Sequence, residues 1–476
     1  MESWNLVIIG AGPAALRAAI AAADAGSSPL MISSSGIGSG SDANDLAGLA
    51  ASIDEVSSSA HRDDTITAGG DSTDKVAAAR TCGEAVNVVA ELEKWGLVFR
   101  RREGGLPHTS QVHGHTMPRM TGCGDSTGRN ITRILEEQAM KRGVVRHSDL
   151  QPISLVMDKK QVRGVTVLDI NTGEIRGIQT KAIILATEGH QGIWTSPANG
   201  AGQGASLAAD AGIILSGLSN HHHHPLSIRG TDLHLSLDLL GSGGRVRKAS
   251  GEDVNPSEVG EDDCILDLRA IDSSASTWFN QTRAQIKNRT GLDMSREVIP
   301  IASTIAATTG GSPVDEHGRV TLSKGSKWAT GLYAAGRSAH NGMHGNGLLP
   351  GNLMLDDLVS GSAAGSHAGQ WVQEAAFAGS KLVEKEVTKS EKRIRKLHTS
   401  DGNSVGQTAA TLASIMSGCV NGSRDENSLA TATSALAELK SSGIKITDSS
   451  SVMNTELSTA LKLEGMIAVA EQISKS

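Results

Sequence analysis

The chain has 476 residues, enough for about three domains at roughly 150 residues each, with a large buried core. Its 44 Lys and Arg stand against 51 Asp and Glu, a net charge of −7, and only 2% of its residues are aromatic. That balance excludes a general nucleic-acid binder, which needs basic patches and rings for base stacking. In chain order, Leu6-Val7-Ile8-Ile9 is a short apolar run and predicts a buried strand. Gly10-Ala11-Gly12-Pro13-Ala14-Ala15 follows, then an Ala-rich helix to about Ala25, stopped by Gly26. Pro29-Leu30-Met31-Ile32 predicts a second strand, so the chain opens with a β-α-β unit and implies a parallel sheet. Residues 36–70 are rich in Gly, Ser and Asp and are expected to be mostly loop. Residues 74–95 and 129–142 have helical apolar spacing.

Residues 162–170 and 174–184 predict two strands joined at Asn171-Thr172-Gly173. The second runs into Ala186-Thr187-Glu188-Gly189. Residues 225–325 are less periodic and predict an inserted α+β domain. Gly331 to Gly336 returns to a buried strand, and a helix follows from about Leu353. From about residue 367 the chain reads as helical, with Lys389 to Lys396 a solvated basic face. The four cysteines, Cys82, Cys123, Cys264 and Cys419, form no C-x-x-C pair. They signal no metal site, no iron–sulfur cluster in this chain and no disulfide framework, which fits a reducing cytoplasm. No cationic leader is seen, and no stretch reaches the ~20 apolar residues of a transmembrane segment.

Gly10 and Gly12 sit at a strand-to-helix turn. Gly10 permits the tight turn, Gly12 lets the backbone approach a pyrophosphate at the helix N-terminus, and Ala15 is small enough for close helix–strand packing. The second strand ends in Ser33-Ser34-Ser35, without the acidic residue that would hold a ribose. Later blocks accompany this turn. Asp125-Ser126-Thr127-Gly128 precedes a helix, and Leu185-Ala186-Thr187 ends a strand. His224-Pro225 is followed by Gly243-Gly244. Gly331 to Gly336, His344-Gly345 and Gly351-Asn352 form a Gly-rich return segment.

These blocks, over nearly the whole chain, resemble the flavoprotein subunits of succinate dehydrogenase and fumarate reductase and the related L-aspartate oxidases. The resemblance implies an α/β fold: a Rossmann-like FAD-binding domain with an inserted α+β capping domain and a C-terminal helical region. The expected limits are 1–220 for the first part of the FAD-binding domain, 221–325 for the cap, 326–368 for the return segment and 369–476 for the helical region. By matching positions, FAD is expected at Gly10, Gly12, Ala15, Ser33, Ser39, Gly40, Gly48, Ala186, Thr187, Gly336, Asn352 and Met354. The family's flavin-attaching His has no counterpart in Ser39 to Asp45, so the FAD is expected to be non-covalent.

On the substrate side, His224 matches the family's first active-site His and Ser236 its Thr. His344 matches the His beside the clamp loop. The second His is replaced by Ala306, the carboxylate-binding Arg by Leu348, and the Glu of the G-E pair by Arg337. The segment that carries the acid Arg is shortened between Arg247 and Ile265. His224, Ser236, His344 and Arg337 are therefore the candidate catalytic residues, with His221, His222, His223, Arg229, His234 and His340 as neighbours. In a strand, His222 and His224 share one face and His221 and His223 the other. The run is read as one functional His with three incidental ones rather than as a metal site.

The expectation is an FAD-dependent oxidoreductase passing a hydride between flavin and a small organic acid, fed by a separate iron–sulfur subunit. It is placed in the cytoplasm or on the cytoplasmic face of the membrane through that partner. The alternatives are a free-standing oxidase of the L-aspartate oxidase kind, and a diverged FAD-binding paralogue without dicarboxylate catalysis.

Overall fold

A computed structural model of the chain describes residues 1–34, 48–53, 55–231, 233–260, 263–322, 327–419 and 425–475. Strand β1 (Glu2–Ile9), helix α1 (Pro13–Asp24) and strand β2 (Pro29–Ile32) form the expected β-α-β unit. The two strands are parallel, with Ile9 opposite Ile32. Pro13 suits the first turn of α1, where its missing N–H leaves nothing unsatisfied. Gly26, at φ +86°, ends the turn beyond the helix in the left-handed region that favours glycine.

Strands β3 (Gln161–Asp169) and β4 (Ile175–Leu185) are an antiparallel hairpin. Strand β4 then runs parallel to β1, with Leu185 opposite Ile9. The chain leaves this sheet to build a second one of four antiparallel strands. Its order is Arg245–Lys248, Cys264–Asp267, β6 (Ile299–Thr308) and β5 (His221–Ile228). Leu226, Val246, Leu266, Phe279 and Ile299 give this cap its own core. The return strand, β7 (Trp328–Ala334), lies parallel to β4 with Ala334 opposite Leu185. Arg319–Thr321 already pairs with β7, so the large sheet resumes before residue 326.

Helix α2 (Asn352–Glu374) crosses α1 at very close range. A Cβ on Gly361, Gly365 or Gly369 would lie 2.5, 2.1 or 2.8 Å from the carbonyl oxygens of Ala14, Ala18 and Ala22. The spacing of four puts all three glycines on one face, and no side chain fits there. The C-terminal helices pack on the opposite side of the sheet, where Leu397, Leu412, Leu436 and Leu457 share a core with Val7 and Ile9.

Two local expectations need correction. Residues 55–69 form a helix, Glu55–Gly69, not a loop. Four of its inward residues are polar, Ser57, His61, Asp64 and Thr65, so no apolar stripe marks it. The helical stretch at 74–95 is two helices, Lys75–Gly83 and Ala85–Lys94, meeting at Glu84.

Candidate functional site

The carboxyl ends of β1, β2, β4 and β7 finish level, because Ile9, Ile32, Leu185 and Ala334 are mutual register partners. The residues that follow, Gly10, Ser33, Ala186 and the Ala335–Gly336 pair, therefore meet along one edge. This is where open parallel sheets bind ligands. Gly10 has φ +139°, and a Cβ there would sit 2.0 Å from the Ala186 carbonyl oxygen. Its N–H donates to the Ile32 carbonyl, and the Ala186 N–H donates to that of Ile9. Gly12 caps α1 in an extended conformation without a side-chain hydrogen bond, and the first turn holds no acidic residue. The helix N-terminus thus offers free N–H groups and a positive dipole to an anion.

A groove of about 50 Å³ is lined here by Gly10, Gly12, Ser33, Ala186, Thr187, Gln203 and, beyond the helix end, Glu188. Thr187 is fixed: its N–H donates to Ser338 Oγ at 2.8 Å, and its Oγ1 accepts from the Gly204 N–H at 2.8 Å. Gly336, at φ +56°, packs so closely that a Cβ would meet Ala14 Cβ at 2.7 Å. Ala15 is fully buried behind the turn. These features fit a dinucleotide: side-chain-free backbone, an open helix end and no competing carboxylate in the first turn. Ser39 and Gly40 lie outside the described residues. Asn352 is fully buried with its side chain directed into the protein, where Oδ1 lies 2.7 Å from His61 Nε2 and Nδ2 donates to Thr65 Oγ1.

A cavity of about 400 Å³ opens between the cap and the sheet edge. Gly48 and Met354 line it from the FAD-binding side, and the four-His run of β5 lines it from the cap. The alternation of β5 is as read: His222 and His224 are buried, His221 is half-buried and His223 is exposed. His224 Nε2 lies 2.6 Å from the Leu235 carbonyl oxygen. A carbonyl only accepts, so Nε2 carries the proton and Nδ1 keeps its lone pair. Burial, then the neighbouring His234, pushes His224 down to about 3. Burial pushes His222 down to about 3 as well. Both imidazoles are neutral at pH 7.

Arg337 reaches this wall from the return segment, with Asp357 Oδ2 at 3.7 Å from its Nη2. Leu348, Ala306 and Ala307 also contribute. The wall is built without Ser236, whose Oγ accepts the Asp238 N–H at the start of a short helix, and without His344, which pairs with Asp356 at 3.3 Å. Arg229 points away, donating to the Cys264 and Ile301 carbonyls. Among the described residues, no group of three or more His, Cys, Asp or Glu could hold a metal ion.

Two features were not legible. His113 lines the cavity from an irregular segment, with Nδ1 buried and without a hydrogen-bond partner. Behind the wall, Arg119 is fully buried, with Nη1 2.5 Å from Asp64 Oδ2 and 2.7 Å from His115 Nδ1. His115 Nε2 in turn lies 3.0 Å from the Pro350 carbonyl oxygen, behind a residue that forms the cavity wall. Burial acts to raise the Asp64 carboxyl, but hydrogen bonds from Thr116 and Arg119 outweigh it and hold it below the usual range. The only sequence signal is the His113-Gly114-His115 pairing, which carries no periodicity.

Comparison with known proteins gives a consistent match. The FAD binding domain family model matches residues 5–354, and the model for the fumarate reductase flavoprotein C-terminus matches residues 409–476. A succinate dehydrogenase flavoprotein subunit of Rickettsia bellii is 25% identical, over 98% of this chain and 86% of its own length. An L-aspartate oxidase of Mycobacterium leprae is 30% identical, over 80% of this chain and 76% of its own length. A quinol fumarate reductase structure from E. coli superposes with a TM-score of 0.90 at 22% identity, covering 100% of this chain and 89% of that one.

Proposed function

The chain belongs to the succinate dehydrogenase and fumarate reductase flavoprotein family, to which L-aspartate oxidase is related, and from that premise we propose how its site works. It is an FAD-dependent oxidoreductase of that type. The proposed reaction passes a hydride between flavin and a small organic acid held in the cavity beneath the cap. The observation that carries this is the level ending of four parallel strands at an uncapped helix N-terminus beside a histidine-lined cavity.

Gly10, Gly12, Ser33, Ala186, Thr187 and Gly336 would hold the dinucleotide, with Gly48 and Met354 beside its reactive ring. FAD supplies two-electron chemistry there. The chain's own residues bind and orient. Arg337 meets the substrate carboxylate through a charge-assisted contact. His224, neutral and with Nε2–H held by Leu235, offers Nδ1 as a proton acceptor when the acid is oxidised, and when an enoate is reduced the proton for its second carbon comes from solvent. Ser236 and His344 act from behind the wall: Ser236 braces the turn after Leu235, and His344 holds Asp356.

The FAD is proposed to be non-covalent, because residues 39–45 contain no His. Acid denaturation of the purified protein is expected to release FAD into the supernatant at about one per chain. Flavin retained by the precipitate would contradict this.

A separate iron–sulfur subunit is the proposed electron partner, since the cysteines of this chain form no cluster motif. Among the described residues no helix is long and apolar enough to cross a membrane, so attachment to the cytoplasmic face would come through such a partner. The 30% identity to an L-aspartate oxidase favours a second reading, a free-standing oxidase. Stoichiometric hydrogen peroxide from reduced protein in air, with no reoxidation by organic acids, would select it.

A further inference from the structure

Resting on the functional reading above, we propose that the cavity selects a small monocarboxylate with an apolar tail over a dicarboxylate. Among the described residues, Arg337 is the one permanently charged side chain in its wall, and buried Asp357 lies 3.7 Å from it. With the Asp357 carboxylate already beside it, this guanidinium has charge for at most one substrate carboxylate, held as a charge-assisted partner. A second carboxylate would then face Leu348, Leu353, Met354, Ala306 and Ala307, with no cation to meet it.

The imidazoles of His113, His222 and His224 do not replace that cation. His222 and His224 are pushed down to about 3, chiefly by burial, so they are uncharged at pH 7. Burial lowers His113 as well. His224 has its only neutral-state proton on Nε2, which is engaged by the Leu235 carbonyl, so it presents a lone pair rather than a donor. A buried carboxylate facing a lone pair and methyl groups is repelled and desolvated without compensation. A methyl group in the same place meets a surface made for it.

Crotonate and fumarate share a four-carbon enoate skeleton and differ by a methyl in place of a carboxylate. Titrating each into the oxidised holoprotein and following the perturbation of the flavin absorbance band measures binding without turnover. Crotonate is expected to bind about 10–100-fold more tightly than fumarate, the range of one charge-assisted hydrogen bond. Arg337→Met is expected to weaken crotonate by a similar factor, and Arg337→Lys to restore part of it. Leu348→Arg supplies the missing second cation and is expected to tighten fumarate by about 10-fold or more while leaving crotonate weaker. Fumarate binding as tightly as crotonate, crotonate failing to bind, or Leu348→Arg leaving fumarate unchanged each overturns the proposal. Absence of a flavin band in the wild-type protein instead refutes the functional reading itself, and the proposal with it.

Discussion

Replacing Arg119 by Met is expected to cost about 3–5 kcal/mol of stability. Arg119 has no solvent exposure, and its Nη1 contacts both Asp64 and His115. Removing it leaves the buried Asp64 carboxylate with only the Thr116 backbone and hydroxyl donors. The substitution also frees His115 Nδ1 and loosens the ring that meets the Pro350 carbonyl. Pro350 and Gly351 form part of the cavity wall, so weaker flavin retention is expected alongside lower stability. Urea unfolding followed by tryptophan emission measures the first, and flavin content after gel filtration the second. Pairing Arg119→Met with Asp64→Asn removes the stranded charge and is expected to recover part of the loss. A change below about 1 kcal/mol in the single variant would mean that the pair is not a structural keystone.

Acid is expected to destabilise the protein steeply from about pH 6.5 downward. His61 and His190 are pushed down to about 4 in the folded chain, and His115, His222 and His224 to about 3, in each case chiefly by burial. Their ordinary value is 6.5. The sign follows directly. Above pH 6.5 both states hold these rings neutral, and stability does not depend on them. Below it, the unfolded chain binds protons that the folded chain refuses, so each ring costs about 1.4 kcal/mol per pH unit until its folded value is reached. Five such rings together are expected to remove several kcal/mol by pH 5.5. Asp267, held at about 2 chiefly by its hydrogen bond from Arg269, adds a loss in the same direction at lower pH. Asp238, raised by burial, works the other way. The thermal midpoint is expected to fall sharply between pH 7.5 and 5.5, with several protons taken up on unfolding at the lower pH. A midpoint that stays level or rises over that interval would contradict neutral burial of these rings.

The difference between what could be read and what could not follows from how each residue is constrained. The Gly10–Gly12 turn is set by its own backbone and by one strand and one helix on either side, so local pattern suffices. The inward facing of His222 and His224 follows from strand alternation alone. The helix Glu55–Gly69 escapes because its buried residues include His61, Asp64 and Thr65, whose burial is justified by tertiary partners such as Asn352, Arg119 and Cys82. The same holds for His113 and Arg119. They lie between residues 96 and 119, where regular structure is lacking, and reach the site through tertiary contacts with no period to detect. Ser236 and His344 illustrate the converse. Their positions along the chain point to the cavity, but their hydrogen bonds to Asp238 and Asp356 place them behind its wall.

Under anaerobic conditions the holoprotein, reduced with dithionite until the flavin band bleaches, is predicted to regain that band rapidly when a small enoate is added. Crotonate should act at lower concentration than fumarate. A bleached flavin that neither acid restores, but that air restores at once with one peroxide formed per flavin, would contradict a flavin that exchanges hydride with an organic acid.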